Sequence, residues 1–404
     1  MRVRCHWLLA LGLLASSSAW AKKVDLDYHV RLLPQSEQAE VSLILADGTA
    51  VRSLDFDLGK ASAYSDFKAD GQWQVQGDGL RGRWQPAPGK SQLTYRVRLA
   101  HPLKNGGYET RMTSSWALFR GDDLVPPARL DQQDGTELVS RLSFELPKGW
   151  KSIETPWPRI GKQRFRIDNV SRLFDRPTGW MIAGTIGTRR ARLGETEVSV
   201  AAPQGQGMRR LDNLTLLTFV WPQLQAVFPR NPPKLLLVGA RDQLWRGTRA
   251  GFNSIYLHSS RPLVSENGSS PLLRELVHVF AQINDRQDSD WIGESVNEYY
   301  AIELMRRAGG LSEERYQKIR EQLIRWSKPV NSLRTDNSSG PVTARAVLLL
   351  QELDREIRQA TKGTTQPRSL DDVTRGLMRL EKASTKDFIE ISENVMGRAS
   401  KTLD

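Results

Sequence analysis

The chain of 404 residues carries a single cysteine, Cys5, and it lies in the N-terminal leader. Arg2 and Arg4 precede an apolar run from Trp7 to Ala15, and Ala19-Trp20-Ala21 forms an A-x-A cleavage signal. Residues 1–21 therefore read as a signal peptide cut after Ala21, which places the mature chain in the periplasm or outside the cell. An exported chain without cysteine has no disulfide framework, so packing must stabilise it. Long apolar runs are also missing: a membrane span needs about 20 apolar residues, and the leader run is shorter. The surplus of basic residues, 58 against 46 acidic ones, is scattered, with no basic arm of the kind that grips nucleic acid. A net charge of +12 suits a solvated basic surface or contact with anionic envelope surfaces. Neither a G-x-S-x-G elbow nor a P-loop occurs. Gly293-Glu-Ser-Val-Asn297 comes nearest to the elbow and lacks its second glycine.

What is present falls into two textures. From Lys22 to about Pro203 the chain alternates apolar and polar residues, as in Val24–Leu32 and Leu93–Leu99. Turn signals separate the runs at Asp47-Gly48, Asp70-Gly71, Asp78-Gly79 and Asn105-Gly106. This predicts a β-sandwich or a related antiparallel sheet. Beyond Leu236-Leu-Leu-Val-Gly239, a buried strand by its composition, helical periodicity takes over. Helices are expected over 271–286, 291–308, 312–327, 342–361, 369–380 and 384–396. Ser369 is one expected N-cap, Ser384 or Thr385 another, and Gly397 an expected C-cap. Lys328 to Val342 reads as a loop. The expected architecture is α+β: a β-rich domain over 22–203, then a mainly helical domain over 204–404.

Two helical stretches carry candidate chemistry. In Leu272-Leu-Arg-Glu-Leu-Val-His278, Arg274 and His278 share a helix face at i and i+4, with Glu275 beside them. A neutral imidazole at His278 can bind metal and Glu275 can act as a base. The guanidinium of Arg274 offers no lone pair and places a fixed positive charge where a dication would sit. Taken alone, this stretch is better explained as a core helix with one hydrogen-bonded histidine. In Trp291-Ile-Gly-Glu-Ser-Val-Asn-Glu-Tyr-Tyr300, Glu294 and Glu298 lie one turn apart and repel unless a cation lies between them. Arg274, zinc or another basic side chain are the candidate cations.

Together the two stretches resemble the gluzincin metallopeptidases, whose H-E-x-x-H helix is followed by W-x-x-E-G-x-x-x-Y-Y. The nearest resemblance is to the glycyl aminopeptidase family, relatives of aminopeptidase N. Leu353-Asp-Arg-Glu-Ile-Arg358, Ser369-Leu-Asp-Asp-Val373 and Phe174-Asp-Arg-Pro-Thr-Gly179 extend it along the chain. The resemblance implies a thermolysin-like helical domain, with Glu275 at the general-base position and His278 and Glu294 at zinc-ligand positions. It places Glu298 behind the ligands. It also implies three departures: Arg274 stands for the first histidine, Thr343 for the oxyanion tyrosine, and Ala250–Ser254 lacks the glutamate that reads a substrate amine.

These departures imply a catalytically impaired peptidase homologue that needs no cofactor and binds a peptide or protein, or acts as a scaffold. Arg274 would then neutralise Glu294, Glu298 or both. The alternative is an active zinc aminopeptidase that uses His278, Glu294 and a third ligand, for which His258 is the candidate. A hydrolase of unrelated chemistry is the third reading.

Overall fold

A computed structural model describes residues 22–404 apart from 60–62, 168–173, 242, 267 and 335–337. The expected signal peptide lies outside the described residues. The fold is α+β, with four sheets ahead of and among the helices.

The first unit is built on a seven-stranded sheet whose centre is the pair Lys22–Leu33 and Thr136–Glu145. Along the first of these, Val24, Leu26, Tyr28, Val30 and Leu32 are buried while their neighbours face out, the period-two pattern of a half-buried strand. Contrary to the antiparallel expectation, this central pair is parallel. The reason is topological: the two strands are far apart in sequence, so no hairpin turn dictates their direction. The short turns do behave as hairpins, and Gln38–Leu45 pairs antiparallel with both Lys22–Leu33 and Ser91–Arg98. A four-stranded sheet containing Val51–Asp57 and Arg81–Pro86 packs against it over one core that includes Tyr28, Phe56, Trp84 and Tyr95.

The second unit begins with a five-stranded sheet in the order Ile186–Leu193, Thr196–Pro203, Lys234–Val238, Ser254–Leu257 and Thr248–Gly251. A division at residue 203 runs through this sheet, between its second and third strands. The strand Lys234–Val238 is fully buried and parallel to both neighbours, as its continuous apolar run requires. The crossover into it is a helix, Arg210–Val227, which is absent from the sequence reading and contains Pro222. Its buried face, Leu217, Val220, Trp221 and Leu224, joins the core of the helical domain.

Among the described residues six further helices follow: Pro271–Ala281, Trp291–Arg307, Glu313–Ser327, Pro341–Ala360, Leu370–Leu377 and Thr385–Met396. The expected stop at 286 moves back to Ala281, because Gln282 adopts a left-handed conformation (φ 47°) and caps the helix. Ser369 and Ser384 each close a capping box, with Asp372 and Asp387, and Gly397 caps the last helix at φ 72°. The expected loop from Lys328 to Val342 includes residues 335–337, outside the described residues. Ser338 is anchored by Asp290, its N–H donating at 2.5 Å and its hydroxyl at 3.0 Å. No helix among the described residues is long and apolar enough to cross a membrane.

Candidate functional site

Two consecutive helices and the edge of the five-stranded sheet build the site. Pro271–Ala281 starts where Ser270 accepts the Leu273 N–H at 3.3 Å, with Pro271 in the first turn. Leu272, Leu273, Leu276, Val277 and Phe280 bury its inner face and leave Arg274 and His278 toward a cleft. Trp291–Arg307 presents Glu294, Asn297 and Glu298. Asp285, in the connection between the helices, accepts the Gly293 N–H at 3.1 Å. Its other oxygen is buried without a partner among the described residues, and burial pushes its carboxyl up to about 7, with Asp290 and Glu294 adding repulsion.

Arg274 is the centre of the arrangement. Its guanidinium ion-pairs with Glu294, lies 3.3 Å from Glu275 and reaches Glu298 at 3.9 Å. Burial opposes its charge, but Glu294 and then Glu275 outweigh that and hold its pKa above the ordinary arginine value. Glu298 goes the other way, raised by burial more than Arg274 lowers it. Glu275 is engaged on both oxygens: it accepts from the Ala250 N–H at 2.7 Å and from the Thr248 hydroxyl at 3.4 Å, besides Arg274. Both carboxylate oxygens are therefore committed to a strand edge and a guanidinium. The His278 ring is set by Asn297, whose amide lies 3.1 Å from Nδ1.

Arg274, Glu275, His278 and Glu294 all line one cavity of about 390 Å3. Thr343 and Glu298 line a neighbouring cavity of about 530 Å3 that shares Thr248, Arg274 and Glu294 with it. His258 lines neither. Its ring is buried, with Nδ1 2.7 Å from the Ser260 hydroxyl and Nε2 2.8 Å from the Arg241 carbonyl, and burial lowers its pKa. Both nitrogens are therefore occupied away from the cleft. The Ala250–Ser254 segment is a hairpin edge whose Ala250 N–H holds Glu275.

The donor set fits zinc poorly. A catalytic zinc takes three protein ligands, and here a guanidinium occupies the carboxylate that would be one of them. Among the described residues, no three His, Cys, Asp or Glu side chains converge as a metal site. Sequence reasoning missed Asn297, Thr248 and Asp290. Asn297 alone left a signal, as a polar residue one turn after Glu294 on the same helix.

No family model matches the chain, and no curated protein matches it. Its fold, however, is shared with solved structures. An aminopeptidase N family protein from Idiomarina loihiensis superposes with a TM-score of 0.63 at 14% identity, covering 94% of this chain and 72% of that one. An M1 zinc metallopeptidase from Deinococcus radiodurans, a mutant bound to a Tyr-Ser-Ala substrate, superposes at 0.59 with 13% identity, covering 95% of this chain and 92% of that one. A second structure of M1 zinc metallopeptidase from Deinococcus radiodurans gives 0.57 at 13% identity over the same shares. The chain has the fold of the M1 zinc metallopeptidases. Likeness at this identity concerns the fold, and activity rests on the site.

Proposed function

We propose that the chain is an exported protein of the gluzincin fold, nearest in motif to the glycyl aminopeptidases and catalytically impaired. Its cleft serves binding or scaffolding in the envelope. The observation that carries this reading is the Arg274 guanidinium on Glu294, with Glu275 and Glu298 around the same cation. A charge-assisted pair gives Glu294 a cationic partner without metal and fills the place of the ion. The Thr343 side chain faces the neighbouring cavity, where the resembled family uses a tyrosine to steady an oxyanion. Loss of one such donor costs about 2.7–4 kcal/mol in the transition state.

A second reading, an active zinc peptidase, draws on one observation: His278 and Glu294 face the same cavity. Elemental analysis of the purified mature protein by ICP-MS, with Arg274→His as control, separates the two. Near-stoichiometric zinc in the unmutated protein, together with hydrolysis of aminoacyl reporter substrates, contradicts impairment. Zinc confined to the variant supports it.

A further inference from the structure

The larger cavity, about 530 Å3, falls within the range of small-ligand sites, and its chemistry is unlike that of a charged-ligand pocket. Its deepest charges are already matched, since Arg274 is paired with Glu294 and contacts Glu298. A ligand ammonium or carboxylate would have to compete with those pairs. What remains unpaired is hydroxylic, together with one guanidinium at the rim. The Thr343, Ser339 and Ser265 hydroxyls line the cavity and have no hydrogen-bond partner among the described residues. Arg261, at the rim, has no carboxylate within ion-pair range among the described residues and adds a fork of N–H donors. The apolar wall is Leu323 and Trp326, from the end of the helix Glu313–Ser327. Trp326 is 48% exposed. Its half-exposed indole lies at the cavity wall, where the apolar face of a ligand can cover it.

We infer that this cavity takes a neutral polyhydroxylated ring, a sugar residue of an oligosaccharide, stacked on Trp326 and hydrogen-bonded by Thr343, Ser339 and Ser265. A pyranose ring presents C–H groups on its face and hydroxyls around its rim. That pattern matches one indole wall and a ring of hydroxyl donors and acceptors. Glu298 lines the same cavity, 3.9 Å from the Arg274 guanidinium, and its carboxyl oxygens can accept from ligand hydroxyls. The inference rests on the cleft binding without zinc chemistry, and it exchanges the peptide or protein ligand expected from the family resemblance for a different class.

The test is calorimetric titration of the mature chain with maltotriose, cellotriose and chitotriose, and with the tripeptide Tyr-Ser-Ala as the peptide arm. Saturable binding of at least one trisaccharide is expected, unchanged between low and high salt because the ligand is neutral. Trp326→Ala weakens it about tenfold or more and Thr343→Val several-fold, with circular dichroism unchanged because Trp326 is half-exposed. Absence of saturable binding by every trisaccharide overturns the inference. So does binding untouched by Trp326→Ala, or tripeptide binding that Trp326→Ala abolishes. Zinc content measured on the same preparation keeps the two readings apart: a zinc-free protein that binds no sugar loses this inference only, and a zinc-loaded one loses both.

Discussion

Two ion clusters in this molecule are near mirror images. In one, the cation Arg274 sits among the carboxylates of Glu275, Glu294 and Glu298. In the other, the carboxylate of Glu154 sits among Arg159, Arg190 and Lys234. The second joins the first unit to the five-stranded sheet, since Arg190 and Lys234 come from Ile186–Leu193 and Lys234–Val238. The difference is water. At the centre of the second cluster the Glu154 and Lys234 side chains are 1% and 2% exposed, with Arg159 and Arg190 at 33% and 50% on its outer side, whereas those of Arg274 and Glu294 are 36% and 32% exposed at the wall of a cavity. A buried cluster of this kind locks two sheets together, because removing one partner strands a charge in low dielectric. A cluster open to a cavity contributes little to stability and can serve a ligand instead.

That contrast can be broken by substitution. Glu154→Ala leaves Lys234 buried with only Glu197 at 3.6 Å, and should lower stability by about 3–5 kcal/mol in urea denaturation. A loss below about 1 kcal/mol would remove the distinction between the clusters.

Asp285→Asn should act in the opposite direction and only at higher pH. Its folded pKa, raised to about 7 from 3.8, means the fold disfavours the ionised form. Stability is therefore lost as pH rises from about 4 through about 7. The asparagine variant escapes that loss. After allowance for partial exposure it should be more stable by ~2 kcal/mol at pH 8, and it should converge with the parent near pH 4. Parallel pH–stability curves for the two proteins would contradict this.

Arg274→Ala, at the open cluster, should cost only ~1 kcal/mol near neutral pH. The cost should shrink with added salt, as screening relieves the repulsion among the three carboxylates. The Glu154→Ala cost should keep its size in salt, so titrating both variants with salt sharpens the comparison. Ser369→Ala, which opens the capping box of Leu370–Leu377 and touches neither cluster, should cost ~1 kcal/mol or less and add to either variant.

The legible parts of this molecule are those where one local rule dominates. The two-residue period of Val24–Leu32 and the Ser369 and Ser384 caps are local, and the corresponding strand and helices are present. Arg274 and His278 share a face because helix geometry alone puts them there. The illegible parts depend on distant chain. The parallel pairing of Lys22–Leu33 with Thr136–Glu145 joins segments with no turn between them. The helix through Pro222 forms because its buried face packs under the sheet, and packing overrides the local cost of proline. Glu275 reads as a base from its motif. Only the fold brings the Ala250 N–H and the Thr248 hydroxyl onto it. The His258 nitrogens are occupied by Ser260, two residues on, and by the more distant Arg241, and only the second of these required the structure.

The central claim is that an arginine stands where a metal would, with its charge satisfied by the carboxylates around it. Zinc content per chain, measured on the purified mature protein and on Arg274→His after identical exposure to zinc, tests it most directly. Trace zinc is expected in the parent and close to one equivalent in the variant, where the introduced imidazole would join His278 and Glu294. Close to one equivalent in the parent would contradict it.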